Sequence, residues 1–156
     1  MTQIEIVLLN FEEIRRRSLK LWAGLSSEHY FWKPDLEAMN FIEMIRHILE
    51  SEHLFSVIVE RRGNLDDYKS PWLDREYSNI EDEIEFTKSY REKFIESIKK
   101  TNSDDLESVE IIRTEVGQRK KLGDYLQRIA YHESVHTGQL LSYYRTIGID
   151  RPKIWD

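Results

Sequence analysis

Five histidines and no cysteine set the terms for any chemistry this chain carries. Two of them, His132 and His136, stand four residues apart in the run His132, Glu133, Ser134, Val135, His136. On a helix that spacing leaves them about 40° apart on one face, near enough for both imidazoles to bind one ion. Neutral imidazole is a common ligand for Zn, Ni, Fe or Mn, and without thiolates any metal must be held by His, Asp or Glu. Burying two unpartnered imidazoles beside an apolar seam is costly, which favours a metal over a pair of idle core histidines. Two ligands make a weak site, so a third is expected from another helix. His47 flanks an apolar stripe beside Met44, Ile48 and Ser51 and can lean inward. His53 points about 120° away from it and reads as a surface residue, as does His29 in a linker. Three imidazoles leave at least one position open for water or substrate, the arrangement of a catalytic rather than a closed structural metal.

His-Glu-x-x-His is also the motif of zinc proteases, with the Glu as general base and a further ligand downstream. Only 20 residues follow His136, with Asp150 and Asp156 as the sole acids among them. No helix presents them and little sheet is available to hold an extended peptide, so that reading is set aside. Glu133 is left with three roles: a general base, an acceptor that orients an imidazole N–H, or a buried partner for an arginine. The last two are favoured over direct proton transfer. Gln139, Tyr131, Tyr143 and Tyr144 are candidates to line a pocket, with Tyr143 better placed as core. Gly138 either admits close approach of a helix or ligand or is simply tolerated.

These side chains need long helices to carry them, and the composition supplies little else. With 3 Pro and 6 Gly among 156 residues, the chain lacks the breakers of an all-β fold. Four Trp, eight Tyr and six Phe are enough to fill a core, and the length suits one domain over residues 1–156. Helical periodicity runs from about Thr2 to Leu25, from Asn40 to Arg62, from Ile80 to Thr101 and from Lys121 to Gly148. Asn40 and Glu43 form a capping box, and Gly24, Gly63 and Gly148 fall at helix ends. The last segment carries Leu122, Leu126, Ile129, Glu133, His136, Leu140, Tyr143 and Ile147 at alternating steps of four and three, the seam of a packed helix. Val109 to Val116 alternates loosely, as a short strand or ribbon does. A loop of about 17 residues after Gly63 is long for a plain connection. Its Trp72 is a candidate to cap the open end of the site or to fill a dimer interface. The expected fold is all-α, a four-helix bundle with long connections that leave room for crossovers.

The formal charge of -6, from 23 Lys plus Arg against 29 Asp plus Glu, argues against nucleic acid as a partner. The compact basic triplet Arg15, Arg16, Arg17 reads as a solvated helix face. No apolar run is long enough for a membrane span, and the first residues lack the pattern of a signal peptide. No membrane association and a cytoplasmic location are therefore expected.

Trp32-Lys33-Pro34, the capped start at Asn40 leading to His47, the pair His132 and His136 followed by Gly138-Gln139, and the tail from Gly148 through Pro152 to Trp155 together resemble the DinB/YfiT-like superfamily of metal-dependent enzymes. The resemblance covers essentially the whole chain. It implies a four-helix bundle with His47, His132 and His136 as a metal-binding triad near one end, in a homodimer. Relatives include thiol S-transferases that use bacillithiol or mycothiol and a mycothiol-dependent maleylpyruvate isomerase. It thus implies an exogenous low-molecular-weight thiol as cofactor and a small electrophile as substrate. A noncatalytic metal-binding bundle and a metal-dependent hydrolase are the alternatives. Thr137 stands where many members carry Arg, so an anion contact from that position is not expected here.

Overall fold

The computed structural model describes residues 1–155. Four long helices dominate: α1 (Gln3–Trp22), α2 (Phe41–Arg61), α3 (Ile80–Lys99) and α5 (Leu122–Ile147). A one-turn helix, α4 (Asp105–Ser108), and an antiparallel hairpin of β1 (Glu110–Arg113) and β2 (Gln118–Lys121) lie between the last two. Sequence dictates several of the ends. Thr2 with Glu5 and Asn40 with Glu43 form complete capping boxes, and the Asn79 side chain accepts from the Asp82 N–H. Of the three glycines expected at helix ends, Gly148 alone takes the left-handed cap, with φ 74. α1 stops on Ala23, and α2 stops on Arg62, which itself adopts φ 54. Gly63 serves a different need: a Cβ there would sit 2.9 Å from the Ile112 carbonyl oxygen, so the residue lets β1 dock on the end of α2.

Side-chain pairs fix the helix directions. Asn10 with Gln127, Arg15 with Glu133 and Ser18 with Thr137 keep a constant offset, so α1 and α5 run parallel. Arg46 with Glu83 and Arg91 with Glu52 show the same for α2 and α3. α2 and α5 are antiparallel, since His47 meets His136 while Phe55 meets Tyr125. The bundle is therefore up-down-down-up, and the segment from Arg62 to Asn79 is the crossover that returns the chain along the bundle. Trp72 anchors that crossover within its own chain. It is 3% exposed and packs on Phe86, Tyr90 and His53, so it neither covers the histidines of the last helix nor presents an interface. His53, expected at the surface, is half-buried beneath this aromatic group.

The buried apolar residues form two clusters. One holds Leu21, Trp22, Phe41, Ile45, Ile48, Leu140 and Tyr144; the other holds Phe11, Ile58, Phe94, Ile98, Leu126 and Ile129. Each fully buried large side chain contributes roughly 1.5–3 kcal/mol. Between the clusters every long helix contributes one charged residue: Arg15, Glu52, Arg91 and Glu133. Arg15 belongs to the triplet read as a solvated face, yet it is only 6% exposed. Burying a charge without a partner is prohibitive, and Arg15 is tolerated because two carboxylates meet it.

The α5 seam also departs from strict alternation. Its buried line runs Leu122, Leu126, Ile129, Glu133, Thr137, Leu140, Tyr144. A straight helix has 3.6 residues per turn, so a 3.5-residue pattern drifts off the packed face within a few turns. Thr137 and Tyr144 thus replace His136 and Tyr143, which lie half-buried to one side.

Candidate metal centre

That drift decides what His136 can do. Displaced from the seam, it shares the flank of α5 with His132, one turn away, and their Nε2 atoms lie 3.1 Å apart. His47 reaches the same point from α2, with its Nε2 3.2 Å from that of His132. All three candidate ligand atoms lie within 4.8 Å of one another, and they are the one such group of His, Asp or Glu among the described residues. All three rings are partly buried. The structure therefore brings together the three histidines the sequence singles out, and leaves His29 and His53 elsewhere.

The donor set fits a divalent ion. Imidazole nitrogens bind Zn at about 2.0–2.1 Å, so two of them on one ion stand about 3.0 Å apart at a right angle and about 3.4 Å apart at the tetrahedral angle. Two of the three separations, 3.1 and 3.2 Å, fall within that interval, and the third is no more than 4.8 Å. Gln139 supports the arrangement: its Oε1 accepts from His136 Nδ1 at 2.6 Å, so the proton sits on Nδ1 and the Nε2 lone pair faces the centre. Phe55 packs edge-on against the His132 ring and closes one side. A cation relieves the crowding of lone pairs that neutral imidazoles otherwise suffer. Removing the Gln139 amide should weaken metal binding about tenfold. The hydrogen bond it loses is exposed, so unfolding free energy should stay within about 0.5 kcal/mol of wild type. Chelator competition and urea titration of Gln139→Ala read the two quantities.

Burial, reinforced by the neighbouring His136 and His47, pushes the His132 pKa from 6.5 down to about 4. Burial also lowers that of His47, with His136 adding to it. The sign for stability follows. Below pH 6.5 the unfolded chain takes up protons that the folded His132 refuses until about pH 4. Metal-free protein should therefore lose stability progressively across that window. His132→Gln should flatten the decline, measured as the urea midpoint against pH.

Glu133 takes the third of its possible roles. Arg15 Nε donates to Oε1 at 2.8 Å and Nη2 donates to Oε2 at 3.0 Å. Burial alone would raise its pKa, but the Arg15 charge and hydrogen bonds outweigh burial and hold the carboxylate below its usual range. Both of its oxygens are engaged by the Arg15 guanidinium. Thr137 also turns inward, onto Ser18 at 3.0 Å. Tyr131 is 69% exposed and lines nothing, and a Cβ on Gly138 would meet no atom within 4 Å, so no close approach explains that glycine. Tyr144 is core, its hydroxyl donating to the Leu21 carbonyl, whereas Tyr143 donates to the Met39 carbonyl.

Beside His47 a cavity of about 290 Å³ is lined by Met39, Glu43, Arg46, Glu50 and Tyr77. Sequence reasoning missed Arg46 of α2 and Tyr77 of the crossover, which pair with each other. Arg46 Nη1 and Nη2 donate to the Arg75 and Glu76 carbonyls, and its guanidinium stacks 3.7 Å from the centre of the Tyr77 ring. A larger cavity, about 580 Å³ between α1 and α3, contains none of the three histidines, so size does not locate the chemistry. No helix among the described residues is long and apolar enough to cross a membrane.

Comparison with known proteins agrees with this arrangement. The family model of the DinB superfamily matches residues 10–140, a span that includes all three histidines. The uncharacterized protein YjoA of Bacillus subtilis (strain 168) is 30% identical over 149 residues, covering 95% of this chain and 93% of that protein. A crystal structure of the DinB-like protein YjoA from Bacillus subtilis is similar with a TM-score of 0.71 over 92% of each chain. At the 24% identity of that match, the likeness speaks for the fold.

Proposed function

The chain belongs to the DinB superfamily, and from that premise we propose that His47, His132 and His136 hold a divalent metal with an open face, at which an exogenous thiol is activated for transfer to a small electrophile. The single observation that carries the reading is the convergence of three Nε2 atoms from two helices on one point. Three nitrogen donors, rather than four, favour a working centre over a purely structural one. A divalent ion there supplies Lewis acidity, which favours the deprotonated form of a bound thiol or water.

The rest falls to the chain's own residues. Gln139 keeps His136 in the tautomer that binds metal, and Phe55 shields His132 from water. Glu133 is committed to Arg15, so it does not compete for the proton a thiol releases. The chain contains no cysteine, so sulfur chemistry at this site draws its nucleophile from outside. The cavity bordered by His47 and Tyr77 gives a small molecule room beside the triad.

Elemental analysis of untagged protein, with His47→Ala and His136→Ala beside it, tests the premise: one equivalent in wild type and a loss in both variants are expected. Absence of metal from wild type, with no thermal response to added Zn or Ni, sinks the proposal. Turnover of an electrophile such as monochlorobimane with bacillithiol, dependent on metal, supports transfer. Metal-dependent hydrolysis without a thiol would reassign the protein as a hydrolase. Bound metal with every position filled by protein would make it a structural site.

A further inference from the structure

Arg15 lies behind the triad, on the core side, and touches both helices that carry the imidazoles. It meets Glu133 of α5 through two hydrogen bonds of 2.8 and 3.0 Å, and its Nη2 lies 3.3 Å from Oε2 of Glu52 on α2. Arg91 of α3 pairs with the same Glu52 and donates to the Phe11 carbonyl of α1 at 3.0 Å. These four residues lie between the two apolar clusters, so they are not needed to fill either one.

Helix geometry connects them to the metal centre. At about 100° per residue, His132 and His136 lie roughly 100° and 60° to the same side of Glu133 around α5. Holding Glu133 against α1 therefore turns both imidazoles toward α2. On α2, Glu52 and His47 are five residues apart, about 140° around the axis. Holding Glu52 sets the azimuth of His47 in the same way. A side-chain tip about 6 Å from a helix axis moves about 2 Å for a 20° rotation, as far as a whole metal–nitrogen bond. Apolar contacts are weakly directional, whereas a bidentate guanidinium–carboxylate pair resists such rotation.

We propose that Arg15, through Glu133 and Glu52, is the positioning residue of the triad: it sets the rotation of α5 and α2 that brings three imidazoles to one point. This rests on reading the triad as a metal centre. The sequence run that contains Arg15 thus divides its labour, with one arginine turned to the core and its neighbours toward solvent.

Zinc affinity by chelator competition and the Co(II) absorption spectrum, measured on wild type, Glu133→Gln, Glu52→Gln and Arg15→Met, test the inference. The reference is Ile98→Ala, which destabilises the core on α3, a helix that carries none of the three imidazoles. The expected result is a 10- to 100-fold loss of affinity and an altered Co(II) band in the three network variants, with both unchanged in Ile98→Ala. Should Arg15→Met not fold, the two glutamine variants and the double variant Arg15→Leu/Glu133→Leu, which replaces the pair by apolar groups, carry the test. Wild-type affinity in folded network variants overturns the inference, as does an equal loss in Ile98→Ala. Failure of wild type itself to bind metal overturns the metal reading instead, and this inference with it.

Discussion

Divalent metal is expected to raise the melting temperature of the wild-type protein, and alanine in place of His132 should abolish that rise. His132 is the middle donor: its Nε2 lies 3.2 Å from that of His47 and 3.1 Å from that of His136. Without it, one imidazole remains on each of two helices, and the chelate between neighbouring turns of α5 is gone. A ligand present at 1,000 times its dissociation constant stabilises a fold by about 4.1 kcal/mol. For a chain of this length that corresponds to a shift of about 8–16 °C. The expected observation is a shift of that size in wild type with zinc, reversed by chelator, and none in His132→Ala. An equal shift in both proteins would place the bound ion elsewhere.

The largest effect on stability is expected at Arg46, next to His47 in the chain but engaged with α3 and the crossover. Its Nε donates to Glu83 at 3.1 Å, and Glu83 is 0% exposed. Arg46→Met leaves that carboxylate without its counter-charge in an apolar setting, a loss of about 3–5 kcal/mol. The substitution also frees the crossover at Arg75 and Glu76 and removes the stacking partner of Tyr77. Urea unfolding should show the loss, and the double variant Arg46→Met/Glu83→Leu should recover most of it, because an apolar pair carries no desolvation cost. Recovery of stability without recovery of crossover order, read by amide exchange at residues 73–77, would separate the two roles of Arg46. A loss below about 1 kcal/mol in the single variant would show that the pair is not a buried one in solution.

Much of this is legible in the residues. The periodicity places four long helices within a few residues of their ends, and the capping box at Asn40 sets the phase of the helix that carries His47. Histidines four apart on α5, with an inward-leaning histidine on α2, mark out the triad by spacing alone. Arg15 is not legible, because a run of three arginines looks alike residue by residue. Which of them is buried depends on Glu133 and Glu52, more than 30 positions away in the chain. β2, with the sequence Gln118, Arg119, Lys120, Lys121, has no strand periodicity of its own and is a strand because β1 pairs with it. A heptad-like count puts His136 and Tyr143 on the seam, and a straight helix does not keep that count. The partners of Arg46 are backbone carbonyls of the crossover, and no side-chain pattern announces those.

The pairing of the first helix with the last also bears on when the centre comes into being. α1 leaves the ribosome first and α5 last, and their parallel contact closes the bundle only after everything between them has been made. His47 waits 85 residues for its partner His132. A nascent or partly folded chain therefore presents one imidazole of the triad on α2, or at most an isolated pair on α5, and neither holds an ion firmly. On the proposed reading of the triad, metal capture is a late event of biogenesis, and a loaded centre would report a finished bundle.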